Sequence, residues 1–163
     1  MSKLKSLEDL LEHQLKDLYS AEKQAIAAMP KMAKTAQDPK LIEALETHLA
    51  ETKEQKTRLE KVCEIIGISP GRIKCKAMEG LVAESEETIS EDATPEVKDA
   101  ALIAASQRME HYEIAGYGTA AHYAERLGHA EAAQLLQQTL QEEQKTDTLL
   151  NDLAKSYINQ KAE

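Results

Sequence analysis

"QRMEHYEIAGYGTAAHYAERLG", residues 107–128, has the spacing of a long helix with one buried face, and carboxylates where that face should be apolar. Ile103 just upstream, then Ile114, Tyr117 and Ala121, recur at the interval of a core-facing stripe. A helix turns about 100° per residue, so Glu110 falls on the centre line of that stripe and Glu113 about a quarter-turn to one side. Burying an unpaired ion costs several kcal/mol even after relaxation. A helix that aims two acids at its own core therefore needs something there to neutralise them.

Working outward, the same periodicity fills the chain and strand-like alternation is nearly absent. Helices are expected over about residues 6–36, 39–66, 72–90, 95–127 and 130–158. Ser6 is placed to cap the first; Asp38 and Pro39 supply the N-cap and first position of the second. "GISPG" (67–71) stops the second helix, and Thr94 with Pro95 starts the fourth. The stretch 72–90 reads as a shorter, weaker helix interrupted by Gly80, and Gly128 suits a helix C-terminus. Two tight turns flanking one long connection give two antiparallel helical hairpins joined by a crossover that contains a short fifth helix. The expected class is all-α, a ferritin-like four-helix bundle, forming a single domain over residues 1–163.

The 163 residues carry a net charge of −9, which argues against a nucleic-acid partner, because phosphate binding depends on Lys and Arg. Phe and Trp are absent and five Tyr are the only aromatics, so the core is expected from Leu, Ile, Ala and Met. No apolar run approaches the roughly 20 residues that span a bilayer. "MSKLKSLEDLLEHQ" turns acidic too early for a secretory signal, and the expected location is the cytoplasm. Cys63 and Cys75 are expected as free thiols; with no Cys-x-x-Cys there is no basis for a thiolate zinc site.

Each long helix repeats the anomaly of residues 107–128. Glu22 falls on the line of Leu11, Leu15, Leu18, Ala25 and Met29. In the second helix, Leu41, Leu45, Thr52, Leu59 and Val62 share their line with His48, while Glu51 lies on the flank and Glu54 points away. In the last, Leu136, Thr139, Leu150, Leu153 and Tyr157 put Glu143 at the centre and Glu142 beside it. Single acids of this kind are often partners of a cation, and Arg58 and Arg108 are available. His48 also has an ordinary reading as a hydrogen-bonded core histidine. Four matching acids at mid-helix are better explained by a cation. Hard oxygen ligands suit iron and manganese, and carboxylates bridge ion pairs. The dinuclear carboxylate bundles use Glu from two helices and Glu-x-x-His from the other two. Tyr19, Tyr112 and Tyr117 read as core filling, with Tyr19 one turn from Glu22 and able to donate to it.

"YSAEKQ" (19–24), "HLAETKEQ" (48–55), "CKAMEGL" (75–81), "DAALIAASQRMEHYEIAGYGT" (99–119) and "LLQQTLQEEQKTD" (135–147) resemble the YciF/YciE-type stress proteins, a ferritin-like family. The likeness covers residues 5–160. It implies an all-α dimeric bundle similar to rubrerythrin and manganese catalase. It also implies metal ligation by Glu22, Glu51, Glu110, Glu113 and Glu143; in a dinuclear oxidoreductase His48 and Glu142 are expected as outer or alternate ligands. The departure is histidine: Glu51 is followed at the Glu-x-x-His spacing by Glu54, and Glu143 by Thr146 with Asp147 next to it. The expected function is a stress-response protein holding two Fe or Mn ions, an oxidoreductase for peroxide or oxygen supplied by an external electron donor. The alternative is a non-enzymatic dimeric scaffold with an empty site; an iron-storage cage is a third reading. A homodimer is expected to cover Leu81, Val82 and Ile89 of the fifth helix.

Overall fold

A computed structural model describes residues 4–163. Helix α1 (Leu7–Thr35) opens with a reciprocal capping box in which Ser6 accepts from the Asp9 N–H and Asp9 from the Ser6 N–H. Helix α2 (Pro39–Ile66) is capped by Asp38, which accepts from the N–H groups of Lys40 and Leu41, and ends at Gly67, φ 82°. Helix α3 spans Lys76–Ser90 and α4 Pro95–Arg126. Helix α5 (Ala130–Leu153) runs through a π-helical turn, Ala154–Ile158, into the short α6 (Asn159–Lys161). There is no strand among the described residues, and none of these helices is long and apolar enough to cross a membrane.

The expected ferritin-like architecture is the one observed. Helices α1 and α2 form one hairpin and α4 and α5 the other; α1 lies against α4 and α2 against α5, closing a four-helix ring. Helix α3 covers the groove between α1 and α4. Two side chains of α4 pin the connections. Asp99 accepts hydrogen bonds from the N–H groups of Gln37 and Asp38, both at 2.8 Å, and so holds the α1–α2 turn. Lys98 donates to the carbonyls of Thr88, Ile89 and Glu91, groups a helix C-terminus leaves unpaired.

Four local details differ from the sequence reading. Helix α3 begins at Lys76, not 72, because Arg72 takes a left-handed φ of 84° and the Ser20 hydroxyl holds the Cys75 N–H at 2.9 Å. Gly80 does not interrupt that helix; it faces open solvent within a docked element. Ile114 is only half-buried while Glu113 is buried, its carboxyl turned to the centre of the bundle beside His48, Glu110 and Glu143. The π turn likewise rotates the last stripe, so that Ile158 is buried and Tyr157 half-exposed with its hydroxyl on Asp38 at 2.6 Å. Cys63 and Cys75 are free and buried.

The apolar interior comes in two clusters. One gathers Ala25, Met29, Met32, Leu41, Leu45, Leu102, Ile103 and Leu150; the other Leu11, Leu15, Leu18, Leu59, Val62, Tyr117 and Leu136. On every long helix the residues between them are polar and buried: Glu22 on α1, His48, Thr52 and Gln55 on α2, Glu110 and Glu113 on α4, Glu143 and Thr146 on α5. The bundle is thus two apolar cores separated by a layer of ionisable side chains.

Candidate metal centre

Within that layer, one ligand atom each from His48, Glu110, Glu113 and Glu143 lie within 4.8 Å of one another, contributed by α2, α4 and α5. His48 spans the cluster. Its Nε2 is 3.0 Å from Glu110 Oε1 and 3.8 Å from Glu143 Oε2, and its Nδ1 is 3.3 Å from the Thr146 hydroxyl and 3.9 Å from Glu51 Oε2. The position after Glu143 where a bundle of this class carries histidine is therefore Thr146, and the imidazole comes instead from across the α2–α5 groove.

Glu22 adds a fourth buried carboxylate from α1. Its Oε1 accepts a hydrogen bond from Tyr117, a fully buried residue of α4. Tyr19, one turn away along α1, donates instead to Glu60 at 2.8 Å. The tyrosine that serves the layer was not legible from spacing along one helix, because the pair forms across two. Glu51 is the outlier among the acids: its side chain is 32% exposed. Glu142 is engaged by Arg58 through two hydrogen bonds, 2.8 and 3.0 Å, and by Gln55 at 3.1 Å. Asp147 turns to the α4 side, where Gln107 donates to it at 3.0 Å and His111 lies at 3.1 Å. Glu54 is exposed.

The electrostatics follow from four buried carboxyls facing one imidazole. Burial pushes Glu22 up to about 8 against the pull of the Tyr117 hydrogen bond. Burial, then the charges of Glu22 and Glu110, hold Glu113 well above the usual carboxylate range; burial, then Glu110 and Glu113, do the same to Glu143. Burial works against a charged His48, yet the Glu110 carboxylate beside it prevails and pushes the imidazole up to about 10. Glu142 behaves oppositely: burial raises it, but Arg58 holds it below its ordinary value.

The layer is nevertheless under-satisfied. Glu22 Oε2, Glu110 Oε2, Glu113 Oε1 and both oxygens of Glu143 are buried without a hydrogen-bond partner. Buried polar atoms are nearly always paired, and unpaired ones call for an explanation. Five orphaned carboxylate oxygens beside one imidazole are a hard donor set of the kind iron and manganese take. The residues present fit such an ion.

A family model described as "Domain of unknown function (DUF892)" matches residues 6–163. Protein YciF of Escherichia coli (strain K12) is 49% identical over 161 residues, 98% of this chain and 97% of its own length. The crystal structure of the E. coli stress protein YciF aligns with a TM-score of 0.92 at 48% identity, covering 96% of this chain and 99% of that one. YcfI from Rhodopseudomonas palustris aligns with a TM-score of 0.88 at 43% identity, covering 91% and 95%. A protein from Xanthomonas campestris pv. campestris, 24% identical with a TM-score of 0.76 over 94% of each chain, shares the fold.

Proposed function

Starting from a chain that belongs to the DUF892 family and is a homologue of the stress protein YciF, we propose that the polar layer is a carboxylate-rich metal centre. Glu110, Glu113, Glu143 and His48 hold one Fe or Mn ion, and Glu22 with the unshared oxygens of its neighbours extends the site to a second. The observation that carries this reading is the set of five partnerless oxygens around His48. When bound, the ions supply one-electron redox change and Lewis acidity toward peroxide or dioxygen.

The chain's own residues then have definite tasks. Tyr117 orients Glu22 by donating to Oε1, leaving Oε2 free. Thr146 accepts the His48 Nδ1–H, which leaves Nε2 as the inward donor once its proton is lost. The Arg58–Glu142 pair bridges α2 and α5 beside the layer. Protons on His48, Glu22, Glu113 and Glu143 leave as a cation binds, so uptake is coupled to pH. With two cysteines and no Cys-x-x-Cys, the chain brings no thiolate electron-transfer module, and reducing equivalents come from an external donor.

A second reading also has an observation behind it. The His48–Glu110 ion pair at 3.0 Å partly neutralises the layer without any metal, as a dimeric stress scaffold would require. Anaerobic reconstitution with Fe(II) or Mn(II) separates the two. The metal reading expects about two ions per chain, peroxide consumption, and loss of both in Glu110→Ala. Equal thermal stability with and without EDTA, and no bound metal, would support the scaffold.

A further inference from the structure

We propose that Glu51 and His48 form the doorway of this centre, Glu51 as an outer cation-binding position at the surface and the His48 ring as the gate behind it. The inference rests on the metal-binding reading and adds the route by which an ion reaches the layer.

Glu51 is the acid of the group that meets solvent. Its side chain is 32% exposed, whereas Glu22, Glu110, Glu113 and Glu143 are exposed by at most 3%. Glu51 and the inner carboxylates sit on opposite edges of one imidazole, Glu51 3.9 Å from Nδ1, Glu110 and Glu143 3.0 and 3.8 Å from Nε2. The ring itself is 4% exposed, so it is the partition between them.

The neighbouring approaches are shut. Tyr117, buried completely, stands over Glu22. Farther along the α2–α5 groove, Arg58 grips Glu142 and also the Thr139 hydroxyl at 2.7 Å, with Gln55 on the same carboxylate. A guanidinium fixed there repels a cation seeking that path. Past Glu51, by contrast, no guanidinium among the described residues stands in the way: the ring is held by the Thr146 hydroxyl of α5 at 3.3 Å on Nδ1 and by the Glu110 carboxylate of α4 at 3.0 Å on Nε2. An ion arriving at Glu51 exchanges a water for a carboxylate oxygen there. It passes inward as the imidazole swings from Thr146 and exchanges its Glu110 contact, and the ring then returns with Nε2 toward the ion. No covalent bond is made or broken.

A doorway changes rates in both directions and leaves the equilibrium alone; a permanent ligand changes the equilibrium. The experiment follows Mn(II) with the full chain. Stopped-flow quenching of tyrosine fluorescence gives the uptake rate, chelator competition the release rate, and the EPR signal of free Mn(II) the affinity. In Glu51→Gln, uptake and release both slow by about ten-fold, the low end of the gain an acidic cleft gives a cation's arrival, with Kd changed by less than about three-fold. Thr146→Val, which removes the latch, speeds both. Unchanged rates in Glu51→Gln overturn the doorway, as does a Kd weakened more than about ten-fold with uptake unaltered, which makes Glu51 a lasting ligand. Wild-type protein that takes up no Mn(II) at equilibrium overturns the underlying reading, and is told apart by the EPR measurement before any rate is compared.

Discussion

Replacing Glu143 with methionine removes a carboxyl group whose two oxygens meet no donor while keeping an unbranched side chain of similar reach. In the metal-free protein this acid is a burden. Either it stays neutral with its polar atoms unpaired, which costs about 1–3 kcal/mol, or it ionises beside Glu110 and Glu113, which costs more. Exchanging unpaired buried charge for a well-packed apolar group is neutral to stabilising by about 1–4 kcal/mol. Glu143→Met in EDTA at neutral pH is therefore expected to gain about 1–3 kcal/mol, a rise of about 2–4 °C in Tm for each kcal/mol in a chain of this size. The same variant loses tight Fe or Mn binding. Urea unfolding gives the first quantity and metal analysis after gel filtration the second. A loss of about 3–5 kcal/mol, the signature of a broken buried pair, would refute the reasoning, above all with metal content intact.

The remaining expectations concern pH, packing, turns and assembly. His48 titrates near 10 in the fold against 6.5 unfolded, so its stabilising contribution is complete below pH 6.5 and vanishes as pH climbs to 10. Glu22, raised to about 8 by burial from 4.5, also binds its proton more tightly when folded, so it too takes stability away between pH 4.5 and 8. Urea midpoints of EDTA-treated protein are expected to fall from pH 5 to 9 on account of this layer, while Mn(II) affinity climbs over the same range; a flat affinity would contradict the proton coupling. Gly116→Ala puts a methyl 2.7 Å from Leu18 Cδ2, a clash expected to cost about 1–3 kcal/mol by calorimetry as the leucine shifts. Asp99→Ala frees the N–H groups of Gln37 and Asp38, with an expected loss of about 2 kcal/mol for bonds to a charged group and faster hydrogen exchange at those two amides. Light scattering is expected to report twice the 18.1 kDa chain mass, the dimer covering α3.

Much of the site was legible because helical geometry is a local rule. Glu22, Glu110, Glu143 and His48 can be laid on their buried lines by counting residues, and all four are buried. What counting along one helix cannot reveal is what the next helix brings. Glu113 looked like a flank residue because the groups it meets, Glu22 of α1, His48 of α2 and Glu143 of α5, come from helices distant in sequence. Glu142 and Glu143 are adjacent acids with opposite surroundings, decided by Arg58 projecting from α2. Tyr117, Thr146 and the divided core likewise depend on pairings across the bundle, as does the late start of α3, set by Ser20 and the left-handed Arg72.

The central claim is that the orphaned oxygens of the polar layer are metal ligands. Anomalous difference diffraction at the manganese edge, from crystals grown with Mn(II), tests it directly. The account predicts a peak enclosed by Glu110, Glu113, Glu143 and His48 and a second on the Glu22 side, about 3.5–4 Å apart as in two-metal sites. A layer without anomalous signal, with His48 still on Glu110 at the same 3.0 Å, would contradict it.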